Sequence, residues 1–522
     1  MRRKLARGFN GGDMAPAKMS GLHSAASIPY SPLDQDGVAR ILEAALHLLA
    51  DSGACFEPGT EADALLRRAG CEVSGDGIVR IPVEVTRRAL ATTARSVALW
   101  NRSGAAAIDI DCEHSWFIPG MTCIKVFDPV TGAPRESMRA DLATIARVAD
   151  ALSHIDGVCV ACKNVARSDA AGEVDEFLCL VENTEKPLFY LCENASSLAT
   201  AIEMARIVRG GAEALRAKPY FLQIVTPLPL SYAASHIEQI ILAARTGVPV
   251  STGTVAIGGA SSPITLAGCL VHCLATDFAG MVLAQAVRPG AFCIGSSDVN
   301  FMEPATGAIG SFAQASLGDL AAAQIRRHLC LPSLTSIAGS SVARRFNQDA
   351  VWEISSSLMQ AFFSRPATCH YLGSLDQGLT YSLQALLLSN DLAMLLRKMW
   401  QGIAVDDEQL ALDIARDVGP RGNFLGQIHT ARHCRSQVWN SRYFGPNIPL
   451  SNSDRADEEL FERIDADLKT IMNTHQVPPL PAAVAARLER FGLDRLSSEQ
   501  PVLESLIGEF VDGPPSRTMT RR

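Results

Sequence analysis

Apolar residues along this chain alternate between two patterns. Short runs rich in β-branched and aromatic residues are followed by longer stretches in which apolar positions recur every third or fourth residue. The first pattern predicts buried strands and the second amphipathic or buried helices. The stretch 249–268, PVSTGTVAIGGASSPITLAG, holds both: an apolar run, a Gly258-Gly259 pair, and then a long apolar helical pattern. Ser262 before Pro263 reads as a helix cap with proline at the first helical position.

The same strand–loop–helix unit recurs on both sides, mostly every 30–45 residues. Strands are predicted at 116–118, 157–162, 187–192, 220–226, 250–257, 291–295, 333–338 and 368–372, with a hairpin at 128–132. The helices that follow them are predicted at 138–153, 173–182, 198–209, 231–246, 264–287, 312–328, 350–363 and 382–400. Eight such units fit an α/β fold of the (β/α)₈ TIM-barrel type. A doubly wound open sheet is the alternative; it usually shows fewer strands and a glycine-rich first turn, which is not seen here. The expected organisation is a disordered basic N-terminus at 1–30, an N-terminal cap at 31–113, a barrel at 114–402, a helical C-terminal region at 403–510 docking on the barrel, and a disordered tail at 511–522.

Composition narrows the classes. The chain has 522 residues, 48% of them hydrophobic, enough for a large core. A net charge of −8 argues against a nucleic-acid footprint. Most of the 14 cysteines sit in apolar stretches, as buried free thiols of a reducing cytoplasm do. The first residues carry Arg2, Arg3, Lys4 and Arg7 without an apolar core, unlike a signal peptide. No membrane span is expected.

In a barrel of this kind the site lies at the carboxyl ends of the strands. Those ends are rich in aromatics, Gly, Ser and Asn and thin in charge, which suits a compact, partly apolar ligand. Other constellations read as structural. Cys159 and Cys162 form a C-x-x-C on a predicted strand with no second pair. Cys269, His272 and Cys273 share a helix face at zinc-ligand spacing, but that face is also a natural core face. His429 and His433 lack the glutamates of a metalloprotease helix. No metal site is expected.

Five segments in order, FLQIVTPLPL (221–230), GGASSPITLAG (258–268), GSSDVNFMEPATG (295–307), HYLG (370–373) and DVGPRGNFLGQIHT (417–430), together resemble the trimethylamine methyltransferase family of corrinoid-dependent methylamine and betaine methyltransferases. The resemblance spans roughly 35–460 and implies a (β/α)₈ barrel. Archaeal trimethylamine members carry pyrrolysine, whereas this chain has standard residues throughout. The resemblance therefore implies the non-pyrrolysine branch, with glycine betaine methyltransferase in it. Such an enzyme moves a methyl group from a quaternary amine to the cob(I)alamin of a partner corrinoid protein, with no cofactor held tightly by the chain itself. The segment SSVARRFNQ (340–348), with two arginines near a strand end, departs from the pattern and leaves the substrate's identity open.

A quaternary ammonium has no proton to donate and is recognised by charge and by aromatic faces, each cation–π contact worth on the order of 0.5–2 kcal/mol. Trp116, Phe117, Phe221, Tyr371 and Tyr381 are the aromatic candidates. His370, Gln223, Ser297 and Asn300 could donate to a betaine carboxylate, and Asp298 could orient His370 or offset the ammonium charge. No catalytic side chain is expected, because the nucleophile belongs to the acceptor. A non-catalytic barrel that binds or senses quaternary amines would carry the same pocket. A homo-oligomer is compatible with the helical C-terminal region.

Overall fold

The computed structural model describes residues 30–497, except 121, 129–131, 168, 311, 336–337 and 445–455. The predicted terminal tails, the tip of the 128–132 hairpin and the end of the 333–338 strand lie outside the described residues.

The β-branched and aromatic runs form eight short parallel strands: β1 (Trp116–Pro119), β2 (Val158–Cys159), β3 (Leu188–Leu191), β4 (Phe221–Val225), β5 (Val250–Thr252), β6 (Cys293–Gly295), β7 (Leu334–Thr335) and β8 (Thr368–Leu372). Each is followed by a long helix: α1 (Arg139–Ala151), α2 (Ala170–Asn183), α3 (Ala195–Arg209), α4 (Ala234–Thr246), α5 (Leu266–Val287), α6 (Phe312–His328), α7 (Gln348–Ser364) and α8 (Leu383–Trp400). The fold is therefore mixed α/β. The α5 helix starts at Leu266 behind Thr265, not at 264 behind Ser262, and α4 starts at Ala234 because Ser231–Tyr232 is a short strand.

The strands belong to two parallel sheets, ordered β6-β5-β4-β3-β2 and β7-β8-β1. The sheets approach at both edges. A parallel bridge pairs Gly295 at the end of β6 with Ser333 before β7. Asp156 N, just before β2, donates to Phe117 O of β1 at 2.8 Å. Gly157 makes the second junction possible: a Cβ there would sit 2.8 Å from Phe189 of β3 and 2.9 Å from Ile118 of β1.

Register sorts the strand residues onto two faces. Phe117 pairs with Cys369, Tyr190 with Gln223, and Gln223 with Val250. This row faces helices, as Gln223 reaches Gln239 of α4 and Tyr190 meets Phe177 of α2. The alternate row includes Trp116 beside Thr368, Phe189 beside Leu222, and Ile224 beside Ser251. Both rows are buried, as expected for parallel strands covered on both faces.

Before β1, the helix Gln35–Asp51 is capped by Asp34, whose carboxylate accepts from Gly37 N at 2.7 Å. Its apolar face, Val38, Ile41, Leu42, Ala45 and Leu49, packs on α5. That explains why α5 is apolar all round. Among the described residues α5 alone is long and apolar enough to cross a membrane by length and composition, and 72% of its apolar window is buried inside the protein. After α8 come α9 (Asp407–Leu410), α10 (Leu412–Val418), α11 (Ile428–Gln437), α12 (Ala456–Thr474) and α13 (Ala482–Ser497). α12 packs on α8 and α1, and α13 on α3. The stretch between α8 and α12 behaves differently: no residue from 401 to 440 is buried.

Candidate active site at the carboxyl ends of the strands

The β8 strand carries the most unusual backbone near the expected site. Its pairing with β1 slips between Cys369 and Leu372. Tyr371 sits in this slip with φ +90°, a left-handed conformation that a bulky residue adopts only under constraint from its surroundings. Its ring lies 5.1 Å from that of His370, which is 4% exposed. Burial holds the Tyr371 phenol well above its usual pKa, and the nearby Asp298 carboxylate and the Cys123 and Cys159 thiols push it further. The phenol is thus neutral at any physiological pH, with the Asp298 carboxyl near it.

Asp298 is positioned by a buried network behind it. Ser297 Oγ donates to Asp277 Oδ1 of α5 at 2.6 Å and accepts from Thr254 N at 2.9 Å. Arg326 of α6 donates to Asp277 Oδ2 from Nη2 at 2.5 Å and from Nε at 3.2 Å. Asp298 N in turn donates to Thr254 O at 2.8 Å. Gly295 lets the Asp277–Arg326 pair approach the strand, since a Cβ there would fall 2.2 Å from the Asp277 carboxylate.

Of the ten residues singled out in the sequence, the structure brings Asp298, His370 and Tyr371 to one neighbourhood, with Asn300 two residues past Asp298 on the strand Asp298–Phe301, paired with Ile257. The remaining six are each engaged by partners of their own. Trp116 opens β1 at its amino end, where Nε1 donates to Asp109 O at 2.8 Å and the ring stacks on His114. Phe117 faces the helix layer between Trp400, at 6.0 Å, and the Arg397 guanidinium, at 5.3 Å. Its cation is the protein's own, because Arg397 is held there by Asp156. Phe221 packs edge-on against Phe177 at 5.4 Å. Gln223 Nε2 donates to Gln239 Oε1 at 2.9 Å. Ser297 belongs to the supporting network. Tyr381 is 1% exposed and donates to Leu372 O at 3.1 Å.

The structure also brings in residues that the sequence reading did not assign to the site. Cys159 Sγ donates to the carbonyls of Pro119 and Gly120, and burial pushes its thiol far up, so it is a neutral packing group beside the site. Lys163, past β2, pairs with Glu176 at 3.1 Å and Glu173 at 3.8 Å. Glu176 accepts from Asn164 N, and Glu173 from Glu193 N, each at 2.8 Å, so the pair ties together the loops after β2 and β3. Burial raises the Glu176 carboxyl above its usual pKa. A charged residue just past the predicted strand 157–162, with Glu173 opening the next predicted helix, was the available signal.

Around this neighbourhood the loops that follow the strands expose large apolar side chains: Ile124 after β1, Leu228 after β4, Val255 and Ile264 after β5, Ile309 after β6, Val342 after β7 and Leu379 in the turn after β8. Among the described residues no group of three or more His, Cys, Asp or Glu side chains is placed to hold a metal ion. Cys269 and Cys273 point instead into the packing of α5, with Cys269 Sγ 2.9 Å from Ser262 Oγ. All 14 cysteines are free.

Helices covering parallel strands on both faces make this an α/β protein, with Tyr371 and Asp298 towards the carboxyl ends of β8 and β6. The chain belongs to the trimethylamine methyltransferase family, whose model, "Trimethylamine methyltransferase (MTTB)", matches residues 6–499. Trimethylamine methyltransferase MttB of Desulfitobacterium hafniense (strain DSM 10664 / DCB-2) is 27% identical over 436 residues, covering 82% of this chain and 86% of its own. The trimethylamine methyltransferase MttB of Methanosarcina barkeri is 28% identical over 482 residues, 89% of this chain and 95% of its own. Glycine betaine methyltransferase of Desulfitobacterium hafniense (strain Y51) is 25% identical over 478 residues, 88% of this chain and 96% of its own. The solved monomethylamine methyltransferase MtmB of Methanosarcina barkeri aligns at TM-score 0.44 and 11% identity, over 86% of this chain and 96% of that one.

Proposed function

We propose that this protein transfers a methyl group from a quaternary amine of the betaine class to a reduced corrinoid carried by a partner protein. The observation that carries this reading is the neutral Tyr371 phenol with the Asp298 carboxylate beside it. An aromatic face and one anion are what a cation without a proton can use. Membership of the family and similarity to a glycine betaine methyltransferase point to the same class of reaction.

In this reading the eight strands close into a (β/α)₈ barrel at 114–402, with a cap at 31–113 and a helical region at 403–510. The Gly295–Ser333 bridge and the Asp156–Phe117 hydrogen bond support closure. The apolar collar of Ile124, Leu228, Ile264, Val342 and Leu379 suits the docking of a protein over the mouth. Fourteen free thiols suit the cytoplasm.

The docked corrinoid would supply the nucleophile. The carbon–nitrogen bond breaks, the methyl group goes to the acceptor, and the electron pair leaves with a neutral tertiary amine. The chain's own residues bind and orient. Tyr371 offers its face to the ammonium and Asp298 balances its charge, while the substrate carboxylate lies on the side away from Asp298, towards His370. Exclusion of water by the collar strengthens each of these contacts. Orientation and desolvation, rather than proton transfer, are the protein's contribution.

Purified protein mixed with cob(I)alamin and a panel of betaines tests the reading. Methylation of the cobalt with one betaine supports it, and saturable binding without methylation, in the presence of a matching corrinoid protein, would assign a binding role instead. Asp298→Asn is expected to raise KM about tenfold or more, with a smaller change in kcat, as for the loss of ground-state binding.

A further inference from the structure

We propose that the cavity between α12 and the loops after β7, β8 and β1 is a second small-molecule site, one that takes a planar apolar ring bearing a single anionic group. The cavity holds about 550 Å³, within the roughly 300–1,000 Å³ typical of small-molecule sites. It lies where α12, packed on α8 and α1, leaves a gap that the strand-end loops do not fill. Neither Tyr371 nor Asp298 lines it, so it is distinct from the pair assigned to the substrate ammonium. Tyr381 forms its buried inner wall, held by a hydroxyl that donates to Leu372 O at 3.1 Å.

The walls suit a flat ring. Three aromatic side chains from three segments line the cavity: Phe127 from the short strand Lys125–Phe127, Phe346 from the loop after β7, and Tyr381 just before α8. Phe346 is fixed by edge-on packing against Phe461 of α12, with ring centroids 5.3 Å apart. α12 adds Leu468 and Met472. Aromatic faces that are themselves held in place favour stacked or edge-on contact with another ring.

Charge sets the head group. Three carboxylates line the cavity, and each already accepts from a donor of the protein. Arg135 donates to Asp141 Oδ1 and Oδ2, each at 2.7 Å, and to Asp128 Oδ2 at 3.1 Å. Gln384 Nε2 donates to Asp465 Oδ1 at 2.7 Å. The two cations that line the cavity, Arg345 and Lys469, have no carboxylate within 4.0 Å among the described residues. Of the two neighbouring arginines in the segment 340–348, Arg344 is taken by Asp376 at 3.6 Å, and Arg345 is left for the cavity. Both free cations are exposed, so the anionic group lies at the opening and the ring lies inward, against Tyr381. An arginine fork and a lysine point charge together suit a carboxylate or a phosphate.

Calorimetric titration of the full chain tests the proposal without substrate or corrinoid, so its outcome does not depend on the proposed reaction. The probes are naphthoate, adenosine monophosphate and the cationic naphthylmethylamine. Saturable binding of a ring anion is expected, about tenfold or more tighter than that of the amine and weakening as salt is raised. Tighter binding of naphthoate assigns a carboxylate head, and tighter binding of adenosine monophosphate a phosphate head. Arg345→Glu with Lys469→Glu is expected to weaken the preferred anion at least about tenfold. Both side chains are exposed, so the fold is not at stake in that variant. Thr144→Trp, which fills the cavity from α1, is expected to abolish binding with both cations still in place. No saturable binding of either anion, equal binding of the amine, or an affinity unchanged by the charge reversal overturns the proposal.

Discussion

At the scale of single residues, the account rests on Tyr371. A non-glycine residue at φ +90° costs on the order of 1–3 kcal/mol, so the surrounding structure must hold it there. The proposed return is the ring's position beside Asp298. Tyr371→Phe keeps the ring and removes only the hydroxyl, so betaine affinity measured by calorimetry should stay within about threefold. Tyr371→Leu removes the aromatic face and should weaken binding about tenfold, the size of one desolvated cation–π contact. Equal losses in the two variants would mean that the hydroxyl, not the face, is what matters.

His154 makes a second prediction at this scale. Burial, and next the Arg397 charge, depress its pKa to about 4, against about 6.5 in an unfolded chain. Between these values the unfolded chain binds the proton and the folded one does not. Stability therefore rises with pH through that window and falls on acidification from about pH 6.5 towards 4, by at most ~1.4 kcal/mol per pH unit from this group. His154→Asn, melted across pH 4–7, should show a flatter profile than the wild type; an unchanged slope would remove His154 as its source.

At the scale of elements, the Asp277–Arg326 pair joins α5 and α6 behind the loop that carries Asp298. Both side chains are buried, at 1% and 3% exposure. Removing one partner leaves an uncompensated buried charge, so Asp277→Ala should cost about 3–5 kcal/mol of stability by thermal or denaturant melt. A loss below about 1 kcal/mol would mean that the pair is not the brace described here.

Element periodicity made most of this architecture legible. The β-branched runs and their following helices fall where the patterning placed them, with helix starts displaced by two or three residues at α2, α3, α4, α5 and α7. The side-chain directions were not legible. On strands buried on both faces most positions are apolar or small, so alternation carries little signal about which row faces the helices. Phe117, Phe221 and Gln223 sit in the helix-facing row for that reason, and only strand register separates them from Trp116 and His370. The Lys163–Glu173–Glu176 cluster was hidden differently, because its members come from a loop and a helix that only the fold brings together.

At the scale of the molecule, the exposed apolar surface divides between two ends. The collar over the carboxyl-end loops suits the docking of the proposed partner protein, while residues 401–440 include none that is buried. A core helix as apolar as α5 becomes an ordinary internal element once the capping helix Gln35–Asp51 covers it. Deleting that helix is expected to leave the exposed face of α5 prone to aggregation, read by light scattering; a truncated protein that stays soluble and monodisperse would show that the cap is dispensable.

The most direct test of the central claim follows cobalt methylation by absorbance in reduced cob(I)alamin, first with a panel of quaternary amines and wild-type protein, then with Asp298→Asn. The account predicts methylation with a betaine, and a KM about tenfold or more higher in the variant. Absence of both methylation and saturable binding for every quaternary amine tried would contradict it.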